Sequence, residues 1–132
     1  KRILKSPETF KGHVPYYHGL SSVYRRSFIT LNITHAQLSR GCNQRVLDTL
    51  AAGGFLITDS RRVIEQLLPR QKIPMYTNAR ELLMRIESAV KDPAGRFAHR
   101  RETLELIRGK HTYDVRMKNM LDSRFRGNDG GV

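Results

Sequence analysis

Three short apolar runs, Phe28-Ile29-Thr30-Leu31-Asn32-Ile33, Phe55-Leu56-Ile57-Thr58 and Ile73-Pro74-Met75-Tyr76, are separated by segments whose apolar residues return at helical spacing. Runs this short fit strands buried between layers of helix, and strands alternating with helices pair in parallel. The expected fold is therefore α/β, a Rossmann-like parallel sheet followed by C-terminal helices.

The punctuation between runs supports this division. Val14 to Tyr17 is a short apolar stretch that ends at Gly19, a helix is expected over Ser21 to Arg26, and with the run from Phe28 to Ile33 these make a strand–helix–strand rhythm. Residues 34–42 are polar and read as a loop. Asn43 then caps a helix whose buried face is Val46, Leu47, Leu50 and Ala51, and Gly53-Gly54 stops it. Asp59 or Ser60 is expected to cap the next helix, with Val63, Ile64, Leu67 and Leu68 on one side. Pro74 places the third run at a sheet edge, since proline donates nothing to a ladder. Asn78 with Glu81 three residues later marks a box-like cap, and Leu82, Leu83, Ile86, Ala89 and Val90 form the expected buried face of that helix. Asp92-Pro93 opens a helix running to about Arg108, before Gly109, and Thr112 caps a last one with Tyr113, Met117, Met120 and Leu121 on one face.

The domain expected from this pattern covers residues 12–121. Residues 1–11 read as a basic tail or linker, and residues 122–132, which include Ser123 to Gly131, read as a disordered tail because they show no periodicity. That tail resembles the peptide S-R-x-R-G-N-D produced when a bacterial intergenic repeat is translated. The chain has no initiator Met, so Lys1 reads as an internal cut and the whole as a fragment of something larger.

Charge and cysteine usage narrow the function classes. No apolar run approaches the roughly 18–20 residues of a membrane span. Lys1-Arg2-Ile3-Leu4-Lys5 leads directly into Ser6-Pro7-Glu8 with no apolar core, so no secretory signal is visible. Cys42 is the single cysteine, which rules out an internal disulfide and fits a cytoplasmic protein. The histidines His13, His18, His35 and His99 have neither HxxxH nor HExxH spacing, so metal and protease chemistry are not expected. The formal net charge is +12, and residues 1–40 hold 7 basic side chains against 1 acidic. Such a balance allows a nucleic-acid-binding module, non-specific in the absence of any recognisable RNA or DNA motif.

The most informative stretch is Arg40-Gly41-Cys42-Asn43-Gln44-Arg45-Val46-Leu47-Asp48. A loop with arginines and a glycine runs into a helix N-terminus, where unpaired N–H groups and the helix dipole favour an anion. Asp48, about one turn further on, is a candidate acceptor for sugar hydroxyls. Tyr16, Tyr17 and Tyr24 are candidates either to stack a base or to fill the core.

Residues 45–59, Arg45-Val46-Leu47-Asp48-Thr49-Leu50-Ala51-Ala52-Gly53-Gly54-Phe55-Leu56-Ile57-Thr58-Asp59, resemble the R-x-F-E-A-L-A-C-G-G-F-L-L-T-D segment of the CgeB-like, spore-maturation-type group 1 glycosyltransferases. Tyr24 to Ile33 resembles that family's Y-x-x-S-x-I-x-L-N-I strand, and His111-Thr112-Tyr113-Asp114-Val115-Arg116 its H-T-Y-x-x-R. The three segments occur in the same order over about residues 16–121. The resemblance implies the C-terminal, donor-binding half of a two-domain GT-B enzyme, with a nucleoside-diphosphate sugar as substrate and neither metal nor cofactor. It also implies that Asp48 binds the ribose and that Gly41, Asn43 and Arg45 lie against the diphosphate; the catalytic residues are left unassigned. Asp48 stands where the family usually has Glu, and Arg40 stands where many group 1 enzymes have another Glu. On this resemblance the acceptor domain and the first strand and helix of the donor domain are missing, and the isolated chain is not expected to turn over. A non-catalytic remnant is the remaining alternative. His111 is expected to pack or cap rather than to act as a base, since it has no nucleophile beside it.

Overall fold

The computed structural model describes residues 12–16, 19–34, 41–68 and 72–126, with side chains described as far as Ser123. The elements are α1 (Leu20–Arg26), β1 (Thr30–Asn32), α2 (Gln44–Ala51), β2 (Leu56–Asp59), α3 (Arg62–Leu67), β3 (Met75–Tyr76), α4 (Ala79–Lys91), α5 (Pro93–Lys110) and α6 (Tyr113–Arg126). The three strands form a parallel sheet in the order β1-β2-β3, with Leu31 opposite Ile57 and Thr58 opposite Met75. This is the expected α/β arrangement of a partial Rossmann-like domain followed by helices. Arg40 and Tyr17 lie outside the described residues, as do residues 1–11 and 127–132.

The turn from α2 into β2 shows how local sequence sets the layer spacing. Asn43 Oδ1 accepts the Arg45 N–H at 3.1 Å and starts α2. At the other end Gly53 N–H bonds the Leu50 carbonyl and Gly54 N–H bonds the Thr49 carbonyl, the paired bonds of a Schellman stop. Gly53 has φ of +72°, which a side chain would resist. A Cβ on Gly54 would sit 2.8 Å from the Tyr24 carbonyl oxygen, so α1 crosses this turn at backbone contact distance.

Alternation along β2 sends neighbouring side chains to opposite faces. On one face Val46, Leu50, Leu56, Ile64, Leu68, Ile73, Met75 and Ile107 form a buried cluster supplied by α2, α3, the strands and α5. On the other, Phe55, Ile57, Tyr76 and Ala89 are joined by half-buried Ile29, Leu82 and Ile86. Helix α5 runs antiparallel to α2: Arg100 Nε donates to the Gly53 carbonyl at 2.6 Å, and Ile107 packs in the cluster that includes Val46.

Several expectations are corrected. Leu83 and Val90, expected on the buried face of α4, are 61% and 52% exposed, because only the narrower arc of Leu82, Ile86 and Ala89 meets the sheet. Neither Asp59 nor Ser60 caps α3; Arg61 occupies that position with no side-chain cap. Asp59 is instead the acceptor for Thr34 and Arg61, and the Ser60 hydroxyl bonds Glu65. Helix α5 passes through Gly109 and ends at Lys110. Helix α6 continues to Arg126, into the segment read as irregular, and its Tyr113, Met117, Met120 and Leu121 are all exposed. The reciprocal half of the expected box at Asn78 is displaced by one residue, since Glu81 Oε2 accepts from the N–H and hydroxyl of Thr77.

Candidate functional site

Parallel α/β sheets bind ligands beyond the carboxyl ends of their strands. Here that edge carries a polar network. Asn32, at the end of β1 and fully buried, donates to Thr58 Oγ1 at 3.0 Å, accepts from Asn43 Nδ2 at 3.1 Å, and offers its carbonyl to the Tyr76 hydroxyl at 3.1 Å. Thr34 donates its N–H and its hydroxyl to Asp59 Oδ1, at 3.0 and 2.8 Å. Arg61 Nε pairs with Asp59 Oδ2 at 2.8 Å. Burial alone would raise the Asp59 carboxyl, but the bonds from Arg61 and Thr34 outweigh it and hold the group below the usual carboxylate range.

The network fixes the start of α2. The Asn43 side chain is spent within the protein, capping its own helix with one atom and joining β1 with another. Gly41 and Asn43 are half-buried at this helix start, and Arg45 extends into solvent from the first turn. Among the described residues Arg45 bonds Asn43 through its backbone N–H, and its guanidinium enters no hydrogen bond or ion pair.

Asp48 points elsewhere, into a groove of about 340 Å³ lined by Tyr16, Leu20, Ser21, Tyr24, Asp48, Ala51 and Ala52. Its Oδ2 accepts from the Tyr16 hydroxyl at 3.0 Å, and that hydroxyl in turn accepts from Gln44 Nε2 at 2.6 Å. Tyr24 is buried and belongs to the wall between α1 and α2, whereas Tyr16 is 48% exposed. Arg45 and Asp48, three residues apart on α2, share its outer side, while the Asn43 side chain reaches the end of β1 and Gly41 lies two residues before that cap.

The C-terminal motif returns to the same region. The antiparallel course of α5 brings His111 and Arg116 to the end of the molecule where α2 begins. Burial pushes the Cys42 thiol up, and the Arg116 charge offsets part of the rise. His111 closes α5, its N–H bonded to the Ile107 carbonyl at 2.9 Å. Burial, helped by Arg116 and Lys110, lowers its imidazole pKa against a bond from the ring to the Leu67 carbonyl. Its Nε2 is buried and unpartnered among the described residues, as a packing histidine's can be.

Sequence reasoning did not single out Asn32, Thr34, Gln44, Thr58 or Tyr76 as site residues. A signal was present for one of them, since an Asn inside an otherwise apolar strand must find partners when buried. Among the described residues no group of three or more His, Cys, Asp or Glu side chains is placed to hold a metal ion. No helix there is long and apolar enough to cross a membrane.

No curated protein and no solved structure matches the chain. Residues 4–122 match the model of a family described as glycosyl transferase-like.

Proposed function

The chain belongs to the glycosyl transferase-like family, and from that premise we propose that it is the donor-binding part of a CgeB-like, two-domain glycosyltransferase and takes a nucleoside-diphosphate sugar along α2. The observation that carries this reading is the opening of Asp48 into the groove beside Tyr16 and Tyr24, with Arg45 on the same side of the helix. A ribose hydroxyl meets the Asp48 carboxylate, and the base lies along Tyr24 and the apolar side of the groove. The diphosphate lies toward Arg45 and the helix start that Gly41 and Asn43 shape. Asn43 serves by holding that start rather than by touching phosphate, since its side chain is already committed.

The chemistry suits the residues. When the glycosidic C–O bond breaks, the departing diphosphate gains negative charge, and a guanidinium beside a helix N-terminus stabilises that charge. No metal or organic cofactor is invoked. An acceptor-binding domain outside these 132 residues completes the cleft in this reading, so the isolated chain binds donor without turning it over. The lone thiol fits a cytoplasmic setting.

Calorimetric titration at low salt with uridine, UDP and UDP-sugars tests the assignment. Arg45→Ala is expected to weaken UDP and its sugars while leaving uridine little changed, and Asp48→Ala to weaken all three. Each loss should be about 10- to 100-fold, the range of charge-assisted contacts. A chain that bound polyuridylate at low salt but none of these ligands would belong instead with non-specific nucleic-acid binders.

A further inference from the structure

The bond pattern around Tyr16 carries an inference that rests on the proposed ribose contact and adds a residue to it. A hydroxyl group is at once a donor and an acceptor. On α2, Gln44 and Asp48 stand one turn apart and present an amide donor and a carboxylate acceptor to the same point, which the Tyr16 hydroxyl occupies at 2.6 and 3.0 Å. Phosphate at that point would face the Asp48 carboxylate, and an ammonium group could not accept from Gln44. The pair is complementary to a neutral hydroxyl.

We propose that Gln44 and Asp48 form a hydroxyl-binding pair for a ribonucleoside ribose, and that Tyr16 fills it when no nucleoside is present. The two partners differ in how firmly they are held. Gln44 and Asp48 belong to a helix anchored by fully buried Val46 and Leu50. Tyr16 is half-exposed, and residues 12–16 lie in neither helix nor strand. Withdrawing the phenol breaks its exposed hydrogen bonds to Gln44 and Asp48, and neither buried cluster includes Tyr16. The apolar remainder of the groove, Leu20, Tyr24, Ala51 and Ala52, supplies a surface for the face of the sugar or base.

A competitor of this kind lowers affinity, because each nucleoside must exchange with it. Tyr16→Phe keeps the ring and removes only the hydroxyl. In calorimetric titrations of the full chain, this variant should bind uridine and UDP about 3- to 10-fold more tightly, the scale of one or two exposed hydrogen bonds, and inorganic pyrophosphate with unchanged affinity. Gln44→Leu should weaken uridine and leave pyrophosphate alone. Uridine bound equally or more weakly by Tyr16→Phe, in a protein where Asp48→Ala does weaken uridine, would overturn the competitor and leave the ribose contact standing. If Asp48→Ala left uridine unchanged, the ribose contact itself would fail, and the inference with it.

Discussion

The two faces of the sheet are finished to different degrees. On the face covered by α2, α3 and α5, the cluster from Val46 to Ile107 is buried throughout, with Leu50, Leu56, Ile64 and Leu68 fully enclosed. The opposite face has α4 over β2 and β3, while Leu31 is 37% and Ile33 65% exposed along β1. Parallel sheets are normally covered on both sides, because their strands are apolar on both. The contrast teaches that stability and incompleteness are segregated in this molecule: the first face carries the fold, and the second has apolar surface to spare.

The largest expected effect breaks the closed face. Leu50→Ala should cost about 2–5 kcal/mol, a substantial share of a small domain's stability. Chemical denaturation would show it as a fall in midpoint with little change in slope; a loss under 1 kcal/mol would mean that the two faces are equally loose.

Acid gives a smaller, graded test that probes both faces together. His99 meets Phe55 edge-on beside α4, and burial lowers its pKa below the ordinary value of 6.5, with the Lys72 charge adding to this and Glu102 opposing it. The His111 imidazole is lowered by burial on the other side. A histidine whose folded pKa is lowered stays neutral while the unfolded chain takes up its proton, so stability is full above about pH 7 and declines as pH falls through the unfolded value. Melting temperature measured from pH 8 to pH 5 should therefore drop, and His99→Phe should flatten part of that drop. An equal drop in His99→Phe would assign the whole effect to groups other than His99.

The smallest effect sharpens the contrast from the open face. Leu83→Ala, at a position 61% exposed, should change stability by no more than about 0.5 kcal/mol. A loss comparable to that of Leu50→Ala would show that something covers α4 in solution.

Among the described residues sequence periodicity located each helix and the three paired strands, since strong local patterns such as Asn43 to Gly54 contain both cap and stop, but the strand read at Val14 to Tyr17 is absent over residues 14–16. It failed on the breadth of the buried arc. Leu83 and Val90 have the same spacing as residues that are buried, but burial depends on how much of the helix the neighbouring layer covers, and a three-stranded sheet covers little. The candidate site divides in the same way. Arg45 and Asp48 were legible because residue type and spacing on one helix fix their relation. Asn32 meets Thr58 across 26 residues, Thr34 meets Asp59 across 25, and Tyr16 reaches Asp48 across 32, so no local pattern announces them.

The antiparallel course of α5 bears on how the chain is made. Arg100 ties together the carbonyls of Arg25 and Gly53, and Ile107 completes the cluster begun by Val46, so the first strands have no finished core until the segment near residue 107 has left the ribosome. At roughly 5–20 residues per second, several seconds of synthesis separate the emergence of α2 from the arrival of the helix that packs against it. During that interval Val46, Leu50 and Leu56 lack the helix that encloses them in the finished fold, and transiently exposed apolar surface of this kind is prone to aggregate.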